Sequence, residues 1–175
     1  RVAKMKAGSG LTEGVSIGPL IDSDALQRMQ RQVDDAVGKG AVVETGGNRL
    51  TDEGLERGFF FAPTVLSGVT DAMDIYREET FGPIAPVIVF DDEDEVIAMA
   101  NDTDYGLASY VYTQNLARAW RVVEQLRFGM VGVNDINPTS AAAPFGGVKQ
   151  SGQGREGAHE GILEYLDTKL VGFSI

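Results

Sequence analysis

A chain of 175 residues with 43% hydrophobic content and 22 glycines has length for one domain or slightly more, in a composition that suits a soluble α/β protein rich in tight turns. The formal charge of −11, from 15 basic and 26 acidic residues with no basic cluster, argues against nucleic acid as a partner and needs no explanation beyond solubility. The absence of cysteine excludes disulfides and thiolate metal sites, one histidine (His159, read as an exposed helix residue) leaves no zinc constellation, and no apolar run nears the roughly 18 residues of a membrane helix.

Residues 1–10 lack the apolar core and cleavage pattern of a signal peptide. Arg1-Val-Ala-Lys-Met-Lys6 reads as the end of an amphipathic helix without a cap, so a partial chain is expected. Leu26, Met29, Val33, Ala36 and Val37 share a helical face, with Asp22 or Ser23 as cap and Gly38 or Gly40 as stop. Ala41 to Glu44 reads as a short strand closed by Gly46-Gly47-Asn48. Gly58 to Leu66 reads as a second strand broken by Pro63, and Ala85 to Phe90 as a third, apolar enough for burial on both faces. The acidic run Asp91 to Glu95 suits a helix first turn, leading into Val96, Ile97, Met99 and Ala100. Ser109 to Tyr112 is a predicted strand. Asn115 caps a helix with a face of Leu116, Ala119, Trp120, Val123 and Leu126, which Gly129 stops; Met130 to Val133 is a further strand. Gly154 to Tyr165 is predicted helical and Thr168 to Phe173 a final strand. Strands alternating with helices between residues 22 and 134 predict an α/β fold with a largely parallel sheet and flanking helices. The final strand has no neighbour in sequence, so it is expected to pair elsewhere, for instance in another subunit.

Three stretches invite a functional reading. If Glu78 to Phe81 is extended, Glu79 and Phe81 share a face. A carboxylate accepts hydrogen bonds from two adjacent hydroxyls, and a ring beside it is a flat apolar wall, which together match the nicotinamide riboside end of a dinucleotide. The same residues also suit an ordinary strand end with a surface acid. Gly152-Gln-Gly154-Arg-Glu-Gly157 has the spacing of a dinucleotide fingerprint, but the loop before it and the 18 residues after it do not supply the strand, helix and distant acid that motif needs. Ser151 reads either as a cap for the following helix or as a polar contact, and Phe145 as a core anchor or a pocket wall. Lys149 beside them adds positive potential or is simply exposed.

Arg77-Glu-Glu-Thr-Phe-Gly-Pro83 and Pro144-Phe-Gly-Gly-Val-Lys-Gln-Ser-Gly-Gln-Gly-Arg-Glu-Gly157 together resemble the C-terminal part of an aldehyde dehydrogenase, and the second stretch is most similar to the succinate semialdehyde dehydrogenases. Gly18 to Ile21, Gln32 to Val37, Tyr105 to Ala108 and Gly129 to Asn134 agree, so the likeness spans nearly the whole chain; Asp135 to Ala143 departs from it, which leaves the aldehyde open. The resemblance implies that Glu79 holds the nicotinamide ribose of NAD or NADP and Phe81 packs by the nicotinamide. It implies that Ser151 hydrogen-bonds the far carboxylate of the substrate and Phe145 lines the aldehyde tunnel. It further implies a catalytic-domain part over 1–165 with an oligomerisation strand over 166–175, and a cytoplasmic, homo-oligomeric parent without membrane or nucleic-acid partners. In that family a cysteine thiolate attacks the aldehyde, a hydride passes to the cofactor, and a glutamate-activated water releases the acid. With no cysteine, this chain is expected to contribute no catalytic residue and to be inactive alone.

Overall fold

The computed structural model describes residues 1–52 and 54–175, and the chain divides into two units, Arg1–Val89 and Phe90–Ile175. The division falls inside the stretch expected as one third strand.

In the first unit, helix α1 (Ser23–Gly38) begins at Asp22, whose carboxylate accepts from the Ala25 amide at 2.8 Å. Such a cap is worth about 1 kcal/mol. Ala25, Met29, Val33 and Ala36 are buried as the periodicity predicts. Val37 is 46% exposed instead, because Ala36 takes the core position in the last turn. The helix closes when the Lys39 amide reaches the Asp35 and Ala36 carbonyls, and Gly40, at φ +103°, turns the chain into Ala41.

Three short strands follow: β1 (Val42–Thr45), β2 (Thr64–Ser67) and β3 (Ile84–Pro86), with helix α2 (Asp74–Arg77) between the last two. They pair in the order β1-β2-β3, the first pair antiparallel and the second parallel. The long second strand expected over Gly58–Leu66 is absent from its first half. There the backbone serves loops: Leu20 and Leu50 amides donate to the Phe59 and Phe60 carbonyls, and the Ala62 amide donates to Asn48. The third strand stops at Pro86, and Val87, Val89 and Phe90 are 45%, 81% and 50% exposed, contrary to two-sided burial. Among the described residues β3 pairs with β2 alone, and α1 covers one face of the sheet, so β3 is an edge strand without the second covering layer that a buried parallel strand requires. The core gathers Met29, Val33, Phe61, Leu66, Met73 and Ile84 into one cluster between α1 and the sheet.

In the second unit, Asp92 caps helix α3 (Glu93–Asn101) by accepting from the Asp94 and Glu95 amides at 2.8 and 3.0 Å. Strand β4 (Ala108–Val111), helix α4 (Leu116–Gln125) and strand β5 (Met130–Val133) make a βαβ unit whose strands pair in parallel from Ala108↔Met130 to Val111↔Val133. Asn115 caps α4 through the Arg118 amide at 3.0 Å. Glu93 ties the two helices, accepting from Arg118 at 2.8 Å and Arg121 at 2.7 Å, and those hydrogen bonds, Arg121's foremost, hold its carboxyl below the usual glutamate range. Ala119 and Val122 are the buried residues of α4, whereas Leu116 and Trp120, expected on its inner face, are 73% and 64% exposed. Two strands cover only a narrow strip of a helix.

In place of the predicted single, largely parallel sheet, the described residues form two small sheets of three and two strands, the first of them mixed. The helix expected over Gly154–Tyr165 contracts to α5 (Ala158–Leu163), since Gly152, Gly154 and Gly157 all hold positive φ and delay its start. Residues 168–173 form no strand within the single chain, and Leu170 and Phe173 are 97% and 88% exposed. Among the described residues no helix is long and apolar enough to cross a membrane.

Candidate functional site

In the first unit, the segment from Glu78 to Pro83 is fastened by its backbone and its flanks. Arg31 of α1 forms an ion pair with Glu78, and Arg28 of the same helix donates to the Thr80 carbonyl at 3.4 Å. Beyond Phe81, the Pro83 carbonyl accepts from the Thr64 amide of β2 at 2.8 Å. Gly82 lies so close to the core that a Cβ there would overlap the Met29 sulfur. Between these fixings the two candidate side chains are left to solvent. Glu79 is exposed, and none of the described residues bonds its carboxylate. Phe81 is 80% exposed.

Strand alternation does not place Glu79 and Phe81 on one face. Glu78 is extended, but Phe81 has φ +48°, so strand alternation ends before it. A bulky residue in the left-handed region is uncommon and strained. Strain at an exposed, unpacked aromatic gives the fold nothing in return, and such outliers gather at ligand-contacting positions.

In the second unit, Phe145 and Ser151 line one cleft of about 500 Å³, together with Leu107, Arg155, Glu164 and Tyr165. Phe145 is 37% exposed and pairs with Glu156 through two backbone hydrogen bonds of 2.8 and 2.7 Å, so it is a cleft wall, not a core anchor. Ser151 closes a 3₁₀ turn over Lys149–Ser151 and caps no helix: α5 starts at Ala158, and its N-cap is Gly157. The Ser151 hydroxyl oxygen instead accepts from the Gly106 amide at 2.9 Å. A hydroxyl has one proton and two lone pairs, so acceptance from Gly106 leaves the proton free to donate. This half-buried donor on a cleft wall suits an acceptor such as a carboxylate.

Lys149 adds no charge to that cleft. Its ammonium donates to the Asn101 and Thr103 carbonyls at 3.1 and 3.0 Å and lies 5.5 Å from the Phe128 ring, where it neutralises the C-terminal end of α3. The cation that does line the cleft is Arg155, which the sequence reading passed over inside the glycine-rich stretch. That stretch follows a 3₁₀ turn, not a strand, and leads into a helix of six residues, in keeping with its rejection as a dinucleotide fingerprint. His159 is exposed on α5.

Comparison with known proteins gives a consistent picture. The model of the aldehyde dehydrogenase family matches residues 1–171. The chain is 52% identical over 171 residues to a probable succinate-semialdehyde dehydrogenase [NADP(+)] of Sinorhizobium fredii, covering 98% of this chain and 34% of that protein. It is 49% identical over 174 residues to a glutarate-semialdehyde dehydrogenase of Pseudomonas putida, covering 99% of this chain and 35% of that protein. Among solved structures, betaine aldehyde dehydrogenase of Staphylococcus aureus in complex with NAD+ superposes with a TM-score of 0.90 at 41% identity, covering 96% of this chain and 33% of that one. The chain therefore spans about a third of the length of the relatives it matches.

Proposed function

The chain belongs to the aldehyde dehydrogenase family, and we propose that it supplies the nicotinamide-side contacts and one substrate wall of an NAD(P)-dependent enzyme that oxidises a dicarboxylic semialdehyde, with succinate semialdehyde as first candidate. The observation that carries the substrate class is the Ser151 hydroxyl: its oxygen is committed to Gly106, its proton is free, and it shares a cleft with the Phe145 ring. A ring to pack along an aliphatic chain and a donor to meet a terminal carboxylate are what an acid bearing an aldehyde requires. The relatives named for succinate and glutarate semialdehyde, which differ by one methylene, support the same class.

The residues of the first unit fit a nicotinamide dinucleotide. Glu79 has both carboxylate oxygens free for the vicinal hydroxyls of a ribose, and Phe81 offers an uncovered ring to a planar group. The cofactor, when bound, supplies the hydride acceptor. The part of Glu79 is to hold the ribose, and that of the backbone fixings on either side is to hold Glu79 and Phe81 in register. With no cysteine in the chain, the nucleophile that the family mechanism requires comes from outside these residues, and the isolated chain is inactive. Residues 166–175 read as an assembly strand that takes its partner from another subunit, and the bacterial relatives support a cytoplasmic setting.

The test is Ser151→Ala in the full-length enzyme, assayed with succinate semialdehyde and with butanal, its uncharged analogue. A hydrogen bond to a charged group is worth roughly 1.5–3 kcal/mol, so kcat/KM for the semialdehyde falls about ten- to a hundredfold while butanal loses little. Equal losses on both substrates would remove Ser151 from carboxylate recognition.

A further inference from the structure

Strands β4 and β5 run in parallel to their last pair, Val111↔Val133, and a side chain carries the ladder one step further. The Asn134 amide donates to the Val111 carbonyl at 2.8 Å. Its carboxamide meets Thr113 with both ends: Oδ1 accepts from the Thr113 amide and Nδ2 donates to the Thr113 carbonyl, each at 2.9 Å. The side chain thus stands in for strand backbone, while the backbone of Asn134 itself turns away at φ +56°. Asparagine enters the left-handed region more readily than most residues and, unlike aspartate, brings a donor as well as an acceptor.

The turn folds the chain back over the end of the sheet, where a Cβ on Gly132 would overlap the Asp135 carbonyl oxygen. Among the described residues, the hydrogen bonds of 135–140 stay inside the loop: the Asn137 amide donates to Asp135 Oδ1 at 2.9 Å, and Thr139 Oγ1 to Asn137 Oδ1 at 2.6 Å. The loop is next tied down at Ala141, whose carbonyl accepts from the Ala158 amide at 3.2 Å. Its departure from the sheet is therefore governed at Asn134. Ligands of parallel α/β sheets bind outside the carboxyl ends of the strands, and loops carried there on a rigid scaffold hold the specificity. Residues 135–143 leave from that end, and they are the stretch in which this chain departs from the dehydrogenases it resembles.

We propose that Asn134 is a positioning residue for aldehyde selection: its carboxamide, paired both ways with Thr113, fixes the direction in which residues 135–143 leave the sheet, and through that loop the fit of the aldehyde. The inference rests on the aldehyde-oxidising reading given above and on no particular carboxylate contact.

Asn134→Gly isolates the carboxamide, because glycine keeps the left-handed turn. In the full-length enzyme, backbone hydrogen exchange over 135–143 is measured beside kcat and KM for succinate semialdehyde, butanal and the cofactor, with melting temperatures. Loss of the two hydrogen bonds is expected to speed exchange in the loop about tenfold. KM for succinate semialdehyde rises about fivefold or more and its preference over butanal falls, with cofactor KM and melting temperature near those of the parent. Asn134→Asp keeps the acceptor for the Thr113 amide and falls between. Unchanged exchange removes the clamp. Faster exchange with unaltered aldehyde kinetics means that the loop does not meet substrate, and the proposal is wrong. Equal losses on both aldehydes, with a raised cofactor KM or a lowered melting temperature, reduce Asn134 to a structural part. If the unmodified enzyme oxidises neither aldehyde with NAD or NADP, the functional reading fails and the inference falls with it. Should Asn134→Gly not fold, Asn134→Asp carries the test, and an unchanged aldehyde KM beside faster loop exchange refutes the proposal.

Discussion

Replacing Phe81 by glycine separates a residue that serves the fold from one that serves a ligand. Phe81 sits at φ +48°, where an L-residue carries a penalty of about 1–2 kcal/mol that glycine escapes. Glycine gives back about 0.5–1 kcal/mol through the greater freedom of the unfolded chain. The ring is 80% exposed, so about a fifth of its full burial value is lost, roughly 0.3–0.6 kcal/mol. The balance lies between about 0.5 kcal/mol of destabilisation and 1 kcal/mol of stabilisation. Phe61, 1% exposed in the same unit, is the control: Phe61→Ala loses about 3–5 kcal/mol. Urea titration of the two variants beside the parent chain reads the difference directly. A loss above about 2 kcal/mol in Phe81→Gly would mean that the ring packs for stability, and the argument from an exposed, strained aromatic to a ligand contact would fail.

In the full-length enzyme, Glu79→Gln slows single-turnover hydride transfer, read as reduced-cofactor absorbance, more than it weakens cofactor affinity, because a misplaced nicotinamide forfeits orientation; an unchanged rate counts against the ribose contact. The 175-residue chain alone shows no turnover of succinate semialdehyde with NAD or NADP, and a measurable rate would contradict the absence of its nucleophile. Asp35 accepts from Lys39 and from the Asp74 amide, and these bonds, Lys39's foremost, lower its carboxyl from the ordinary value of 3.8. A lowered folded-state value stabilises above the unfolded value and is lost as pH falls through the folded one, so this contribution starts to decline below about pH 4 and is gone once pH passes the lowered value. Asp35→Asn accordingly narrows the stability difference between pH 6 and pH 3, and an unaltered acid limb in thermal melts would refute the linkage.

The sequence was most informative where a signal was local. The Asn115 cap, the Met29–Val33–Ala36 stripe and strand β5 depend on residues close in sequence and formed as read. Of the two caps open for α1 it is Asp22 that serves, and within the acidic run the cap falls on Asp92, which the sequence did not single out. Apolar runs misled where tertiary pairing decides. Phe59 to Ala62 looks like a strand, yet its carbonyls and amides are used by the loops at Leu20, Asn48 and Leu50. Ser151 before a glycine-rich stretch looks like a cap, but three positive-φ glycines move the helix on to Ala158 and leave the hydroxyl for Gly106, distant in sequence. Lys149 gave no sign of its partners at Asn101 and Thr103 for the same reason. Arg155 was hidden because a motif reading weighs the glycines around it and gives no sign that its side chain folds back on the Gly147 carbonyl. The left-handed backbone of Phe81 and the commitment of the Ser151 oxygen to an amide distant in sequence lie in the folded chain alone.

The substrate class is tested most directly by the specificity of the unmodified full-length enzyme toward three aldehydes of similar size: succinate semialdehyde, butanal and the cationic betaine aldehyde. The account predicts the highest kcat/KM for succinate semialdehyde, at least about tenfold above butanal from the Ser151 hydrogen bond, with betaine aldehyde no better than butanal. Equal values for the semialdehyde and butanal, or a preference for betaine aldehyde, would contradict it.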